Sequence, residues 1–292
     1  MPSILTWSLL IVALAATLEG VVLSSARRRF DWRSFGTSMG NLVMRLLVTR
    51  LLPLSLAAPL LAWAYQHRLL RVELDHAAAF ALLFVGQEFC YYWFHRCSHR
   101  VRWFWINHSV HHSPNDFTWV AALRAGVLGR AMGTTVFFVP LVWIGFAPQV
   151  VVAALTLNLL YQFWIHAEWI PRLGWLEWIL NTPSAHRVHH AANVEYLDAN
   201  FGGVLIIFDR LFGTYRAEKE GTPIRYGLVE PQRSHNPLTI ELAAWRKLAH
   251  DLRAVRSLRD LAGTLFAPPG WRPDGSGETT EALRARVSER TF

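Results

Sequence analysis

Five stretches of this chain are apolar over nearly the distance a helix needs to cross a bilayer: Ile4–Leu23, Leu42–Tyr65, Ala77–Phe94, Val127–Ile144 and Gln149–Ile165. Hydrocarbon offers no partner for a backbone N–H or C=O, so segments of about 20 apolar residues cross it as helices. The sequence therefore predicts an all-α integral membrane protein with about four or five transmembrane helices. Composition agrees, because 52% hydrophobic and only 17% charged residues are too apolar for an ordinary soluble domain. The first run lacks a basic leader and a small-residue cleavage site, so it reads as a retained helix rather than a signal peptide.

Within the second run, Arg45 and Arg50 lie inside and Pro53 and Pro59 interrupt, so it is expected to begin as an interfacial helix. Gly145-Phe146-Ala147-Pro148 breaks the fourth run from the fifth and predicts a tight hairpin dipping through the bilayer and back. From Thr239 to Ala262, Leu242, Trp245, Leu248, Leu252, Val255 and Leu258 recur at helical spacing with basic residues between them, which predicts an amphipathic helix on the membrane surface. Phe266–Pro273 cannot continue it, and the tail to Phe292 is polar. The expected organisation is membrane helices over 1–76, a histidine-bearing core with the hairpin over 77–216, and a cytoplasmic amphipathic segment and tail over 217–292, with no internal repeat.

The net charge of +8 raises the question of nucleic acid, but Arg27, Arg28, Arg29 and Arg33 cluster beside an apolar run. By the positive-inside rule they orient the chain, putting that loop and, by counting crossings, the segments after Phe94 and Ile165 in the cytoplasm. A multi-pass membrane protein with no nucleic-acid partner is the expectation. Cys90 and Cys97 then lie on the reducing side and read as ordinary thiols.

Three histidine clusters carry the chemistry. His95 and His99 stand four apart at the end of the third run; His108, His111 and His112 follow at i, i+3, i+4; His186, His189 and His190 repeat that spacing. Each set fits one helical face. His166, at the end of the fifth run, reaches the same depth through the hairpin. A zinc site takes three or four protein ligands, so this many imidazoles ask for two ions. Imidazole suits iron, zinc, copper and nickel alike, and softness alone does not choose among them. His67, His76, His235 and His250, taken singly, read as satisfied surface groups. A proton relay in a transporter is the competing reading of the clusters, but these histidines lie beyond the apolar runs rather than within them.

Glu88, seven residues before His95, is a candidate to accept a hydrogen bond from a ligand imidazole, the alternative being a buried carboxyl paired with an arginine. Gln162, Asp198 and Asn200 are similar supporting candidates, with Asn200 before Phe201-Gly202-Gly203 also reading as a turn former. No catalytic side chain is expected beyond the metal centre. The aromatics at Tyr91–Phe94, Trp103–Trp105 and Tyr161–Trp164 fit either a substrate tunnel or an interfacial belt.

His95-Arg96-Cys97-Ser98-His99, His108-Ser109-Val110-His111-His112 and His186-Arg187-Val188-His189-His190 resemble, in order, the three boxes of the fatty acid hydroxylase and sterol desaturase superfamily. Tyr91–Arg96, Tyr161–His166, Asn181–Ser184 and Asn200–Thr214 look most like its alkylglycerol monooxygenase branch. The similarity covers roughly Phe80 to Tyr215, with an echo at Gly270 and Trp271. Two positions depart: Gln162 stands where acyl hydroxylases show a further histidine, and Ala185 where ether-lipid enzymes carry one. The resemblance implies a cytoplasmic helical cap holding two iron ions, which activate dioxygen to hydroxylate a lipid-like substrate (fatty acyl, ether lipid or sterol) with external electrons. It implies a tetrahydropterin or a ferredoxin-type donor, and a lipid that enters from the membrane side. Zinc competes well for such sites in purified protein. A sterol or lipid desaturase, or a zinc-stabilised membrane protein without redox chemistry, are the alternatives.

Overall fold

A computed structural model describes residues 4–26 and 30–289. Arg27, Arg28 and Arg29, on which the expected cytoplasmic orientation rests, lie outside the described residues. Among those described, no strand forms beyond two isolated bridges, Leu180–Leu205 and Ala191–Tyr226.

Three helices are long and apolar enough to cross a membrane: α1 (Ile4–Ser25, apolar over Ser8–Ser25), α4 (Ala77–Arg100) and α7 (Pro148–Ile165). The other two apolar runs do not become continuous helices, and local chemistry says why. Asp31 caps α2 (Trp32–Leu51) by accepting from Arg33 N at 2.8 Å and Ser34 N at 3.1 Å, so that helix starts ten residues before the run. Pro53 then stops it, since proline lacks the N–H and disfavours helix in the residue before it. Only α3 (Ala58–Gln66) follows. In the fourth run the chain turns through Gly133 at φ +84°, makes a 3-10 turn over Thr134–Phe138, and continues as α6 (Val139–Ile144). The predicted hairpin keeps its turn but only one full helical arm. The two broken runs lie side by side, tied by Leu56 N to Arg130 O (3.3 Å) and Leu69 N to Trp143 O (2.8 Å). Gly145, at φ +142°, is required there because a Cβ would collide with the Leu70 carbonyl. Leu83, Cys90, Phe138, Leu141, Val142 and Val151 form the core that packs α4, α6 and α7 together.

Beyond the C-terminal end of α4 the chain bends at Val101 into α5 (Arg102–His111), and α8 (Pro183–His189) lies against the end of α7. A five-residue helix, α9 (Ile207–Leu211), follows. The predicted helix over 239–262 is two: α10 (Pro237–Leu252) and α11 (Leu258–Phe266), separated because Ser257 caps a new start by accepting from Asp260 N at 3.0 Å. The apolar face of α10 is not free for a membrane, since Leu248 and Trp245 pack on Trp103, Ile106 and Met132. A last helix, α12 (Thr280–Glu289), occupies the polar tail, where no helix is expected from the sequence. Cys90 and Cys97 are free thiols.

Candidate metal centre

Every histidine singled out in the three boxes, and His166, comes to one place. They divide into two groups of convergent ring nitrogens, each within 4.8 Å of one another: His95, His99, His108, His112 and His189 in the first, and His111, His166, His186 and His190 in the second. The division cuts across the triplets. Residues four apart on a helix differ by about 40° in direction, while the residue at i+3 points about 60° to the other side. So His108 and His112 share the first group while His111 turns to the second; on α8, His186 and His190 share the second while His189 turns to the first. Each triplet, though it fits one broad helical face, thus divides its histidines between the two groups.

The proton positions show what the groups can hold. A carbonyl oxygen only accepts, so a ring nitrogen bonded to one carries the proton. His95 Nδ1 donates to Phe201 O (2.9 Å), His189 Nδ1 to Ala199 O (2.9 Å), His111 Nδ1 to Arg124 O (2.9 Å) and His166 Nδ1 to Gln162 O (2.7 Å). Burial holds His108, His112, His166, His186, His189 and His190 well below the ordinary imidazole value and His111 at about 4, so these rings are neutral at pH 7. In a neutral ring protonated at Nδ1, Nε2 carries a lone pair. His166 Nε2 and His111 Nε2 therefore face each other lone pair to lone pair at 3.4 Å. Two such atoms cannot hydrogen-bond, and a shared cation relieves the repulsion. Two nitrogens each about 2.1 Å from one ion lie ~3.0 Å apart at a right angle and ~3.4 Å at the tetrahedral angle. The His95–His108, His108–His112 and His166–His186 Nε2 pairs, at 3.0, 3.2 and 3.1 Å, fall in that interval. Nε2 of His99, His189 and His190 is buried with no partner. The donor set fits two cations.

The supporting candidates behave differently from one another. Glu88 does not reach an imidazole: at about 1.5 Å per residue it lies ~10 Å along α4 from His95. Its carboxylate accepts from Asn158 Nδ2 (2.5 Å), Val204 N (2.7 Å) and Leu205 N (2.8 Å), and among the described residues no arginine pairs with it. Gln162 holds His166 through its backbone carbonyl, while its side chain bonds Tyr91 and Asn158. Asp198 places Oδ1 3.6 Å from His99 Nδ1, long for a hydrogen bond, and pairs with Arg100 at 2.6 Å. Burial pushes the Asp198 carboxyl up, but contacts from His99, Thr280 and Arg100 outweigh it and leave it at about 2.

Asn200 is the turn former rather than an imidazole partner: at φ +58°, it binds Ala185 O (2.9 Å), Arg216 O (2.8 Å) and Arg216 N (2.8 Å). That lock matters because the neighbouring carbonyls, Ala199 and Phe201, are the acceptors for His189 and His95. Sequence reading misses Asp209, which grips the same loop from the other side through Phe201 N and Gly202 N, both at 2.7 Å. Its signal is a lone acid shortly after an Asn-Phe-Gly-Gly turn. The carbonyls of Arg124, Ala199 and Phe201 leave no side-chain signature at all.

A cavity of about 550 Å³ reaches His99, His112 and His189, all of the first group, and is lined further by Trp105, Ala243 and Leu283. Among its lining residues only His99 belongs to a candidate span. No residue of the second group lines it; there Phe117 stacks on His166 (centroids 5.4 Å) and Tyr226 on Phe117 (5.0 Å). Of the aromatics weighed as a tunnel, Trp105 meets this cavity, whereas Tyr91 and Tyr161 spend their hydroxyls on Gln162 and Asn181 O.

An all-helical chain with three apolar helices and two convergent imidazole groups is a histidine-rich membrane protein of metal-binding type. It carries a fatty acid hydroxylase domain: residues 80–214 match the model of that family. The chain is 39% identical over 207 residues to an alkylglycerol monooxygenase of Xenopus tropicalis, covering 71% of this chain and 46% of that protein. It is 39% identical over 225 residues to the alkylglycerol monooxygenase of Homo sapiens (77% and 49%), and 27% identical over 128 residues to an ornithine lipid hydroxylase of Rhizobium tropici (44% and 39%). The chain thus spans about half the length of the alkylglycerol monooxygenases it matches. No solved structure matches it.

Proposed function

We propose that this protein is a multi-pass membrane monooxygenase whose two histidine groups hold two iron ions on the cytoplasmic side and hydroxylate a lipid. The observation that carries this reading is the pair of lone pairs at 3.4 Å between His111 and His166, an arrangement that asks for a cation. The relatives' names support an oxygen-inserting reaction rather than a desaturation, since those quoted are monooxygenases or a hydroxylase. Bound iron would supply dioxygen activation; the overall change is insertion of one oxygen atom into a C–H bond, the other leaving as water with two electrons and two protons from an external donor.

The chain's own residues do the rest. Backbone carbonyls fix the ring orientation of His95, His189, His111 and His166, so the ligand lone pairs are aimed before any ion arrives. The enclosing Phe117 and Tyr226 rings exclude water from the second group. The cavity at the first group is where a substrate carbon and the external donor, a tetrahydropterin or a ferredoxin-type protein, gain access. The functional core is 77–216, with 217–292 walling that cavity.

The test is iron-loaded protein in vesicles, given a panel of ether, acyl and head-group lipids under 18O2 with a reductant. A lipid product carrying one 18O atom is expected. A new double bond without oxygen would make it a desaturase, and unchanged lipids with tightly held zinc would make it a non-redox protein.

A further inference from the structure

An exposed apolar surface is made of side chains outside the two histidine groups. Trp175 (72% exposed), Trp178 (66%), Ile179, Ile207, Leu211 (68%) and Phe212 are all open to the outside. They come from two separate segments, the 3-10 turn Gly174–Trp178 and α9, which the backbone stitches into one unit: Ile206 N donates to Ile179 O (2.9 Å), Asn181 N to Val204 O (2.8 Å), and Arg210 Nη2 to Glu177 O (2.9 Å). The Arg210 guanidinium carbon lies over the Trp178 ring at 4.3 Å and the Tyr215 ring at 3.7 Å, so its charged head stacks on both rings.

The patch continues the outer face of α4. Phe212 meets Phe89, Tyr92 and Trp93 with centroids at 6.5, 5.2 and 5.3 Å, and Phe208 meets Phe89 at 5.6 Å. Phe89 itself is 43% exposed on that face. α4 has 24 residues, about 36 Å, against a hydrocarbon core of ~30 Å, so if its first residue marks one boundary the other falls about four residues before Arg100. Phe89 and Trp93 then lie roughly 12 and 6 Å inside it. Whatever packs on them from outside the bundle sits at that depth.

We propose that the Gly174–Trp178 turn and α9 form a wedge inserted into the acyl–headgroup boundary of the leaflet on the histidine side, with tryptophans in the lipid and Arg210 at the phosphates. The occupant of this face is bilayer lipid: the surface joins a spanning helix without a break, and paired tryptophans with a stacked arginine are the composition of an interfacial belt. The inference rests on the reading that α4 and α7 cross the bilayer.

The test places single cysteines, in a Cys90→Ala, Cys97→Ser background, at Trp175, Leu211, Leu157 (67% exposed on α7) and Glu230, the last with a side chain 93% exposed. Each is spin-labelled in the full chain reconstituted in phosphatidylcholine vesicles, and collision with oxygen and with a water-soluble nickel chelate is measured. Labels at 175 and 211 are expected to collide with the chelate at least about tenfold less than at 230, matching 157. If 157 is shielded while 175 and 211 behave as 230, the wedge is wrong and the spanning reading stands. If 157 also behaves as 230, both fall. Neither result depends on metal or activity.

Discussion

The two histidine groups are built from the same parts and kept in opposite circumstances. The first takes five imidazoles, two of them oriented by a loop held at positive φ through Asp198 and Asn200, and opens on a cavity. The second takes four, two of them oriented by carbonyls of regular chain at Gln162 and Arg124, and is closed by stacked rings. One group is arranged for access and the other for retention. On the proposed reading, substrate chemistry would belong at the first group, and the second would complete the centre from behind.

Substitutions can break or sharpen this contrast. The largest effects fall on the ligands: His189→Ala and His186→Ala should each lower activity by more than about a hundredfold, each with loss of metal, measured by oxygen uptake beside elemental analysis. Retention of both metals in either variant would undo the division into two groups. Next, Asp209→Ala releases the loop behind Phe201 and Ala199, and should weaken metal binding by roughly ten- to a hundredfold at the first group only. A uniform loss at both groups would mean that Asp209 serves the fold rather than one site. Filling the cavity with Ala243→Trp should cost about tenfold in kcat/KM at unchanged metal content; unaltered kinetics would mean that substrate comes another way. Smallest is Phe117→Leu, expected to cost ~1–2 kcal/mol in unfolding and to leave kcat/KM within about threefold. A larger kinetic loss would show the second group to be exposed to substrate after all.

Much of this was legible in the residues. His95 and His99 at spacing four, the two i, i+3, i+4 triplets and His166 at the end of an apolar run identify the imidazoles that the fold brings together. Spacing separates the i, i+4 pair of each triplet from the residue at i+3, but which group each side meets was not legible, because that is set by the packing of α5 and α8. In the second run the interruption expected at Pro53 does end α2, whereas the fourth misled by hydropathy alone, since the turn at Gly133 breaks it. Glu88 shares the helix face of His95 but lies two turns away along it, so its carboxylate serves Asn158 and a loop backbone. The acceptors that orient four rings are carbonyls, which every residue has and no sequence pattern marks.

The central claim is that the nine histidines hold two ions in two groups. Anaerobic reconstitution with ferrous iron, followed by Mössbauer spectroscopy and iron content on wild type and His186→Ala, tests it most directly. The account predicts about two irons per chain as two distinguishable sites, falling toward one in the variant with the five-histidine signal retained. One iron per chain in the wild type, or loss of both signals to equal extent with the variant still folded, would contradict it.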